Sequence, residues 1–170
     1  AYNNAGFSLW SSSLYQYRES FLVNAVFILL IILGGLGWRV IDDIWINRRN
    51  LSYRKLSLHS KLVIRTTFFL ILIGSIGFFV TESLLNSQFF SSLNFFERLL
   101  SALFETVGAR TAGFTNFPIS LSTISDTGLL LLMTLMFIGA SPGGTGGGIK
   151  TTTFIALMAA TRSTLKGQKD

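Results

Sequence analysis

Long apolar runs alternate with short polar segments along the chain, and two of these runs predict membrane-spanning helices. Residues 21–40 form the first run, in which Asn24 is the only strongly polar side chain before Arg39. Residues 62–80 form the second run. Each run is close to the roughly 20 residues that a helix needs to cross the hydrocarbon core of a bilayer. Both runs contain small residues that would let another helix approach closely; these are Gly34, Gly35 and Gly37 in the first and Gly74 and Gly77 in the second.

The remaining apolar segments are too short to cross a membrane alone. Residues 95–107 have apolar positions at helical spacing, which predicts a re-entrant half-helix, with a helix lying at the membrane interface as the alternative. Residues 127–138 and 149–160 are apolar segments on either side of a glycine-rich break. A broken backbone persists at membrane depth only where it lines a cavity or is buried in protein, so we predict one discontinuous crossing. Residues 81–94 are polar and predict a surface loop.

Composition supports this assignment. The 170 residues are 49% hydrophobic and 13% charged, with a mean hydropathy of +0.53. Soluble domains carry about 25% charged residues. The chain has no Cys, which excludes disulfides, thiol catalysis and Cys-based metal sites, and its single His59 leaves little for a zinc site. Residues 1–20 have neither an initiator Met nor a signal-peptide pattern, so we expect a piece of a longer protein.

The net charge of +6 is divided unevenly between the two predicted sides of the membrane. Residues 39–65 and 150–170 together hold eleven basic and three acidic residues, a net charge of +8, whereas the other side has a net charge of −2. The excess of Lys and Arg predicts that the first group is cytoplasmic. The basic charge is therefore an orientation signal, and we expect no nucleic-acid partner.

A serine motif suggests one alternative function. Residues 139–143 match G-x-S-x-G, the turn that presents a nucleophilic serine in many hydrolases. An intramembrane serine hydrolase using Ser141 would need a histidine and an acid beside it. However, His59 lies in the loop assigned to the cytoplasm, and Pro142 removes a backbone N–H that an oxyanion hole would use. A membrane scaffold without transport activity is another alternative.

Two short loops repeat the pattern small residue–Gly–Phe. The first glycine loop (residues 4–7) precedes one predicted spanning helix, and the second glycine loop (residues 111–114) follows the half-helix and precedes another. Such loops can turn backbone carbonyls inward to replace the water shell of a cation, because glycine adopts backbone angles that other residues resist. The C-terminus of a half-helix adds a partial negative charge that favours cations. Plain extracellular turns are the alternative interpretation.

Three segments resemble one known family. AYNNAGFSL (residues 1–9), RTAGF (residues 110–114) and FIGASPGGTGGGIKTTT (residues 137–153) resemble the TrkH/TrkG/KtrB family of potassium transporters, with KtrB-type subunits most similar. The resemblance implies an all-α membrane protein built from potassium-channel-like repeats of outer helix, re-entrant pore helix with filter loop, and inner helix. Residues 1–40 would be the end of the second repeat, residues 41–61 a cytoplasmic linker and residues 62–170 the third repeat. The chain would then be a fragment of a four-repeat, pseudo-fourfold pore that lacks the first and fourth repeats.

The resemblance also implies a function and a set of site residues. It predicts a pore-forming subunit for potassium uptake rather than an enzyme, with no cofactor, K⁺ as the transported ion and Na⁺ as a candidate coupling or activating ion. Backbone carbonyls of the filter loops would hold K⁺; the filter residues would be Asn4, Ala5, Gly6 and Phe7, and Thr111, Ala112, Gly113 and Phe114. An intramembrane gating loop would consist of Gly139, Ala140, Ser141, Pro142, Gly143, Gly144, Thr145, Gly146, Gly147 and Gly148. Lys150 would anchor this loop to a carboxylate or to carbonyls, or would simply extend to the interface from a helix end.

Partners and location follow from the same resemblance. We expect a multi-pass plasma-membrane protein with its filter loops outside the cell, in contact with the lipid bilayer and dimeric when full-length. A cytoplasmic nucleotide-binding regulatory subunit of the KtrA/TrkA type would contact the inner face. Residues 41–61 and the C-terminal residues 162–170 are candidate docking surfaces, unless their charges only set the topology and contact anionic lipid.

Overall fold

The computed structural model describes residues 1–48, 55–85, 88–118 and 123–167. Part of the predicted linker (residues 49–54) and the end of the C-terminal segment (residues 168–170) lie outside the described residues. The helices are α1 Phe21–Leu36, α2 Trp38–Ile46, α3 Leu58–Leu84, α4 Gln88–Ser92, α5 Phe95–Ala109, α6 Asp126–Phe137 and α7 Thr151–Leu165, with a short 3-10 turn at Tyr15–Tyr17. Within these ranges the sole strand-like pairing is a parallel bridge between Ile138 and Ile149. The all-helical prediction is confirmed.

The first apolar run is not one continuous helix. The chain turns through 96° between α1 and α2, at Gly37, which has φ +85° and ψ 151°. A side chain at this position would be strained, and a Cβ would lie 2.8 Å from the Pro142 carbonyl oxygen and from the Gly144 nitrogen. The prediction of a single helix over residues 21–40 is therefore wrong. The helix breaks because the glycine-rich break (residues 139–148) occupies the space into which it would continue.

Helix α3 is the one described helix that is long and apolar enough to cross a membrane by itself, and the bent pair α1–α2 would make a second span if it crosses as one unit. Ser57 caps the N-terminus of α3 by accepting a hydrogen bond from the backbone of Ser60 at 3.2 Å. The predicted close packing at the glycines of α3 is confirmed. A Cβ on Gly74 would press on Thr106 of α5, and a Cβ on Gly77 would lie 2.7 Å from Leu131 of α6.

Residues 81–94 are not a simple surface loop, although their polar composition predicts one. Helix α3 continues to Leu84, and α4 follows. Phe90 is fully buried and packs edge-on against Phe78 and at a tilt against Phe117. Glu82, which has 1% of its surface exposed, accepts hydrogen bonds from the backbone and hydroxyl of Ser125 at the start of α6. The pattern misled because the residues that bury Phe90, which are Phe78 and Phe117, lie outside this segment.

Helix α5 lies inside the bundle rather than on its surface. It packs against α1, α3 and α6. Its buried residues are Leu100, Ser101, Ala102, Phe104, Glu105, Thr106, Val107 and Gly108. The Glu97 side chain accepts a hydrogen bond from the backbone N–H of Asn94 and so supports the N-terminus. A helix at the membrane interface would bury one face only, so this burial favours the re-entrant half-helix.

Helices α6 and α7 flank the glycine-rich break as predicted. Ser125 caps α6 by accepting a hydrogen bond from the backbone of Gly128 at 3.0 Å. Large apolar side chains remain exposed on the outer faces of the bundle; examples are Leu22, Phe68, Ile73, Leu130, Phe137 and Leu157. Exposure on this scale is unusual for a soluble monomer and is typical of surfaces that contact lipid or further protein.

Candidate functional site

The structure brings the two glycine loops into backbone contact. Gly6 and Gly113 both have left-handed backbone angles, with φ +70° and +74°. A Cβ on Gly6 would lie 2.9 Å from the Cα of Gly113, and a Cβ on Gly113 would lie 2.9 Å from the Cα of Gly6. Both the angles and the contact require glycine at both positions. The two loops that repeat in the sequence thus lie side by side in the structure.

The two loops also have the same backbone conformation at the position two residues before the glycine. Asn4 and Thr111 occupy equivalent positions and both have positive φ, +48° and +68°. Asn adopts this region readily, whereas a β-branched residue does so only where the surrounding structure imposes it. Each also has a buried side-chain oxygen without a hydrogen-bond partner among the described residues, Oδ1 of Asn4 and Oγ1 of Thr111.

The match between the loops does not extend to their other residues. Phe114 is buried and packs edge-on against Phe27 of α1, with ring centroids 5.3 Å apart. Phe7, its equivalent, is 89% exposed. Ala112 is buried whereas Ala5 is exposed. The second loop is therefore held by helix α1, and within the described residues the first loop has no such support for Phe7.

The glycine-rich break rests on the C-terminus of α1. Backbone N–H groups of Ser141 and Thr145 each donate a 3.0 Å hydrogen bond, to the carbonyls of Gly35 and Gly34 respectively. A Cβ on Gly34 would overlap the carbonyl of Tyr2. The glycines of α1 thus allow close approach, as predicted, but what approaches is a loop and not a helix. The terminal carbonyls of α1 find their partners in this loop.

The break is itself ordered by backbone hydrogen bonds. The N–H of Gly139 donates to the carbonyl of Ile149, and the N–H of Ala140 donates to the carbonyl of Gly147, both at 3.1 Å. Lys150 donates from Nζ to the carbonyl of Gly146 at 2.8 Å, so its ammonium group ties the loop to the start of α7. These contacts give the loop a defined shape without regular secondary structure.

The break also contacts both glycine loops. Asn4 donates from Nδ2 to the Thr145 hydroxyl at 3.1 Å, and this hydroxyl donates to the carbonyl of Tyr2 at 2.9 Å. On the other side, a Cβ on Gly146 would overlap the hydroxyl of Thr111. The equivalent residues Asn4 and Thr111 thus touch consecutive residues of the break.

Arg110 makes a further link between the second glycine loop and the break. It follows α5 directly and donates from Nη2 to the carbonyl of Gly139 at 3.1 Å. Its Nε and the hydroxyl of Thr67 are buried without a partner among the described residues, and both side chains line a cavity of about 10 Å³. A cavity of this size is large enough for roughly one water molecule.

Sequence reasoning missed three buried polar side chains beside the second glycine loop. Glu105 of α5 accepts hydrogen bonds at Oε1 from the Thr115 hydroxyl at 2.6 Å and from the N–H of Asn116 at 2.9 Å. Asn116 in turn donates to Asn24 of α1. For Asn24 the available signal was its position as the only strongly polar residue before Arg39 in an apolar run, since polar groups in such runs are costly unless they have a role.

The geometry around Ser141 does not support nucleophilic catalysis. Ser141 is fully buried, and its hydroxyl lies 3.0 Å from the hydroxyl of Thr151, which cannot serve as a general base. Ser141 instead joins the break to the first turn of α7.

Comparison with known families decides the assignment. All of residues 1–170 match the family model TrkH, described as a cation transport protein. The chain belongs to the TrkH family. It is thus related to membrane transport proteins and not to enzymes.

Individual relatives agree with this family. The chain is 37% identical over 169 residues to Ktr system potassium uptake protein B of Vibrio alginolyticus, which covers 99% of this chain and 36% of that protein. It is 39% identical over 168 residues to potassium/sodium uptake protein NtpJ of Enterococcus hirae, which covers 97% of this chain and 35% of that protein. The chain therefore spans little more than a third of the length of these relatives.

A solved structure shows the same fold. The crystal structure of the potassium transporter TrkH from Vibrio parahaemolyticus matches with a TM-score of 0.77 at 20% identity, over 99% of this chain and 35% of that one. The potassium-channel-like helical arrangement expected from the sequence is confirmed by this match.

Proposed function

We propose that this chain is part of a pore-forming subunit for potassium uptake. The observation that carries the proposal is the backbone contact between Gly6 and Gly113, two left-handed glycines on equivalent loops. Relatives over the whole chain are named for potassium uptake, and NtpJ for potassium and sodium uptake. Carbonyl groups of the two loops would replace the hydration shell of K⁺, together with two further loops from residues outside this chain.

The glycine-rich break would act as the gate. It contacts Asn4 of the first loop and Thr111 of the second, so any displacement of the break changes the surroundings of both. Its glycines allow rearrangement at low steric cost. Under this proposal Arg110 holds the loop at Gly139 and Lys150 holds it at Gly146, while residues 141–145 move.

The orientation and partners complete the proposal. Residues 41–61 and 162–170 would face the cytoplasm, where their basic side chains would meet anionic lipid and a nucleotide-binding regulatory subunit. The glycine loops would open to the outside. The full-length subunit would assemble as a homodimer. The named role of NtpJ in both potassium and sodium uptake favours Na⁺ as a second transported or coupled ion.

The test uses the full-length protein in cells that lack potassium uptake. Growth at low K⁺ and initial rates of Rb⁺ and Na⁺ uptake would be measured for the wild type and Gly113→Ser. We expect rescue by the wild type and reduced discrimination against Na⁺ in the variant. Ser141→Ala should leave the discrimination against Na⁺ unchanged, because Ser141 lies in the break and outside both glycine loops. Failure of the wild type to rescue growth, or unchanged selectivity in Gly113→Ser at normal expression, contradicts the proposal.

A further inference from the structure

A buried polar network begins at Asn24, in the first turn of α1. Its Nδ2 donates to the carbonyls of Tyr17 at 2.9 Å, Arg18 at 3.1 Å and Ser20 at 2.8 Å. These carbonyls belong to the turn that leads from the first glycine loop into α1. Because the NH₂ group of Asn24 faces carbonyls only, its Oδ1 is the atom left to accept a hydrogen bond.

Asn116 supplies that hydrogen bond from the other repeat. It donates from Nδ2 to Oδ1 of Asn24 at 2.6 Å, across 92 residues of sequence. Asn116 follows Gly113 by three residues, and its backbone N–H donates to Oε1 of Glu105. The Thr115 hydroxyl and the N–H of Phe117 donate to the same carboxyl oxygen, at 2.6 and 3.1 Å. The network therefore fixes the exit of the second glycine loop against both α5 and α1.

Backbone contacts reinforce this junction. The N–H of Leu14 donates to the carbonyl of Thr115 at 2.9 Å, and the N–H of Thr115 donates to the hydroxyl of Ser13 at 3.2 Å. Asn24 and Asn116 each have 1% of their surface exposed. Burying such groups costs free energy unless they are hydrogen-bonded. The polar side-chain atoms of Asn24 all have partners, whereas Oδ1 of Asn116 has none among the described residues. The hydrogen bonds that are made favour one arrangement of the elements they join.

We infer that Asn24 and Asn116 are positioning residues that hold the two filter loops at a fixed distance and so determine the preference for K⁺ over Na⁺. This inference rests on the proposed function. Neither side chain needs to touch the ion. Since Gly6 and Gly113 are in backbone contact, a small displacement of one loop exit moves the carbonyls of both loops. Discrimination between two ions by carbonyl groups depends on the positions and dipoles of those groups.

The test is a double-mutant cycle in the full-length protein, with Asn24→Leu, Asn116→Leu and the double variant. The ratio of Rb⁺ to Na⁺ uptake and the thermal stability of the purified protein would both be measured. Asn116→Leu loses the hydrogen bond to Asn24 and is expected to lower the ratio by about tenfold. Asn24→Leu also loses three bonds to carbonyls and should lower the ratio at least as much. The double variant should be no worse than Asn24→Leu, because that substitution already breaks the contact between the two side chains.

Ser125→Ala is the matched control. It removes a part-buried hydroxyl that bonds Glu82 and caps α6, so it should lower stability while leaving the ion ratio unchanged. An unchanged ratio in the asparagine variants, with stability lowered as in Ser125→Ala, would show a structural role only. Independent, multiplicative effects of the two substitutions would also overturn the inference.

A milder variant keeps the test decisive if the leucine variants fail to reach the membrane. Thr115→Val removes the hydroxyl bonds to Glu105 and to the backbone of Phe117 while retaining the side-chain shape and the bonds of its own backbone, and it should lower the ion ratio several-fold. An unchanged ratio in this variant overturns the inference. If wild-type transport and the Gly113→Ser effect are observed at the same time, this failure concerns the network alone and not the proposed pore.

Discussion

The side-chain amide of Asn4 donates a 3.1 Å hydrogen bond to the hydroxyl of Thr145, which joins the first glycine loop to the glycine-rich break across 141 residues of sequence. The same hydroxyl donates to the carbonyl of Tyr2 at 2.9 Å. The Thr145 side chain thus binds both Asn4 of the first glycine loop and Tyr2, which precedes that loop. If the break is a gate, this contact must loosen before ions pass.

Thr145→Val should therefore favour the open arrangement. The substitution keeps the shape of the side chain but removes both hydrogen bonds, which are worth about 1 kcal/mol each, so the open population should rise up to roughly fivefold per bond. Initial rates of Rb⁺ uptake at saturating concentration measure this effect. Thr134→Val is the control, because the Thr134 hydroxyl bonds only the Leu130 carbonyl of its own helix among the described residues and is exposed. An unchanged or lower rate in Thr145→Val would contradict the view that these two hydrogen bonds hold the gate closed.

Adjacent glycines of the break should respond differently to alanine. A Cβ on Gly146 would overlap the Thr111 hydroxyl and lie 2.8 Å from Cβ of Ala140, whereas a Cβ on Gly147 would have no neighbour within 4 Å. Overpacking of this kind costs about 1–3 kcal/mol. Gly146→Ala should thus displace the break from the second glycine loop and raise ion leak several-fold. Gly147→Ala should behave as the wild type in the same uptake assay, and equal effects of the two would refute this steric account.

Gly6→Ala tests the contact between the two glycine loops. Gly6 and Gly167 both have positive φ, +70° and +66°, so alanine is strained at either position. A Cβ on Gly6 also meets the Cα of Gly113, whereas a Cβ on Gly167 meets nothing within 4 Å. Each substitution should cost about 1 kcal/mol from backbone strain, but only Gly6→Ala should reduce discrimination between Rb⁺ and Na⁺. The comparison would fail if Gly167→Ala reduced discrimination equally.

Asp43 should make the junction of α2 and α3 sensitive to acid. Hydrogen bonds from Ser60 and Ser57 hold the pKa of this carboxyl below its ordinary value of 3.8. The bond from the Ser57 backbone N–H measures 2.9 Å. A carboxyl whose pKa is lower in the folded than in the unfolded protein stabilises the fold at any pH above its unfolded-state pKa. This stabilisation is lost as the pH falls through the folded-state pKa. The thermal stability of the full-length protein should thus exceed that of Asp43→Asn near neutral pH. The difference should begin to shrink as the pH falls below the ordinary value of 3.8 and should disappear once the pH is below the lowered pKa of the folded state. A constant difference at all pH values would contradict this account.

The order and type of the main helices follow from local sequence. The 27-residue α3, the half-helix α5 and the interrupted pair α6 and α7 all lie near the predicted positions, because long apolar periodicity and glycine-rich interruptions act over short distances. The resemblance on residues 1–9, 110–114 and 137–153 also identified the family correctly.

Other features depended on contacts between distant segments. The interruption between α1 and α2 lies at Gly37, where the glycine-rich break docks, and the glycines within residues 21–40 do not show by themselves which segment docks there. The burial of Phe90 depends on Phe78 and Phe117, and so the short helix α4 was not predicted.

The sequence by itself determined that this protein is an apolar, helical chain with two small residue–Gly–Phe loops and a glycine-rich break. It also determined the family, because the residue types at those loops are specific. Only the tertiary structure decided that Gly6 meets Gly113, that Thr145 bonds Asn4 and that Asn24 bonds Asn116. The physical reason is that each contact joins residues about 90 to 140 positions apart, whose pairing is set by helix packing and by the matching of buried hydrogen-bond donors and acceptors.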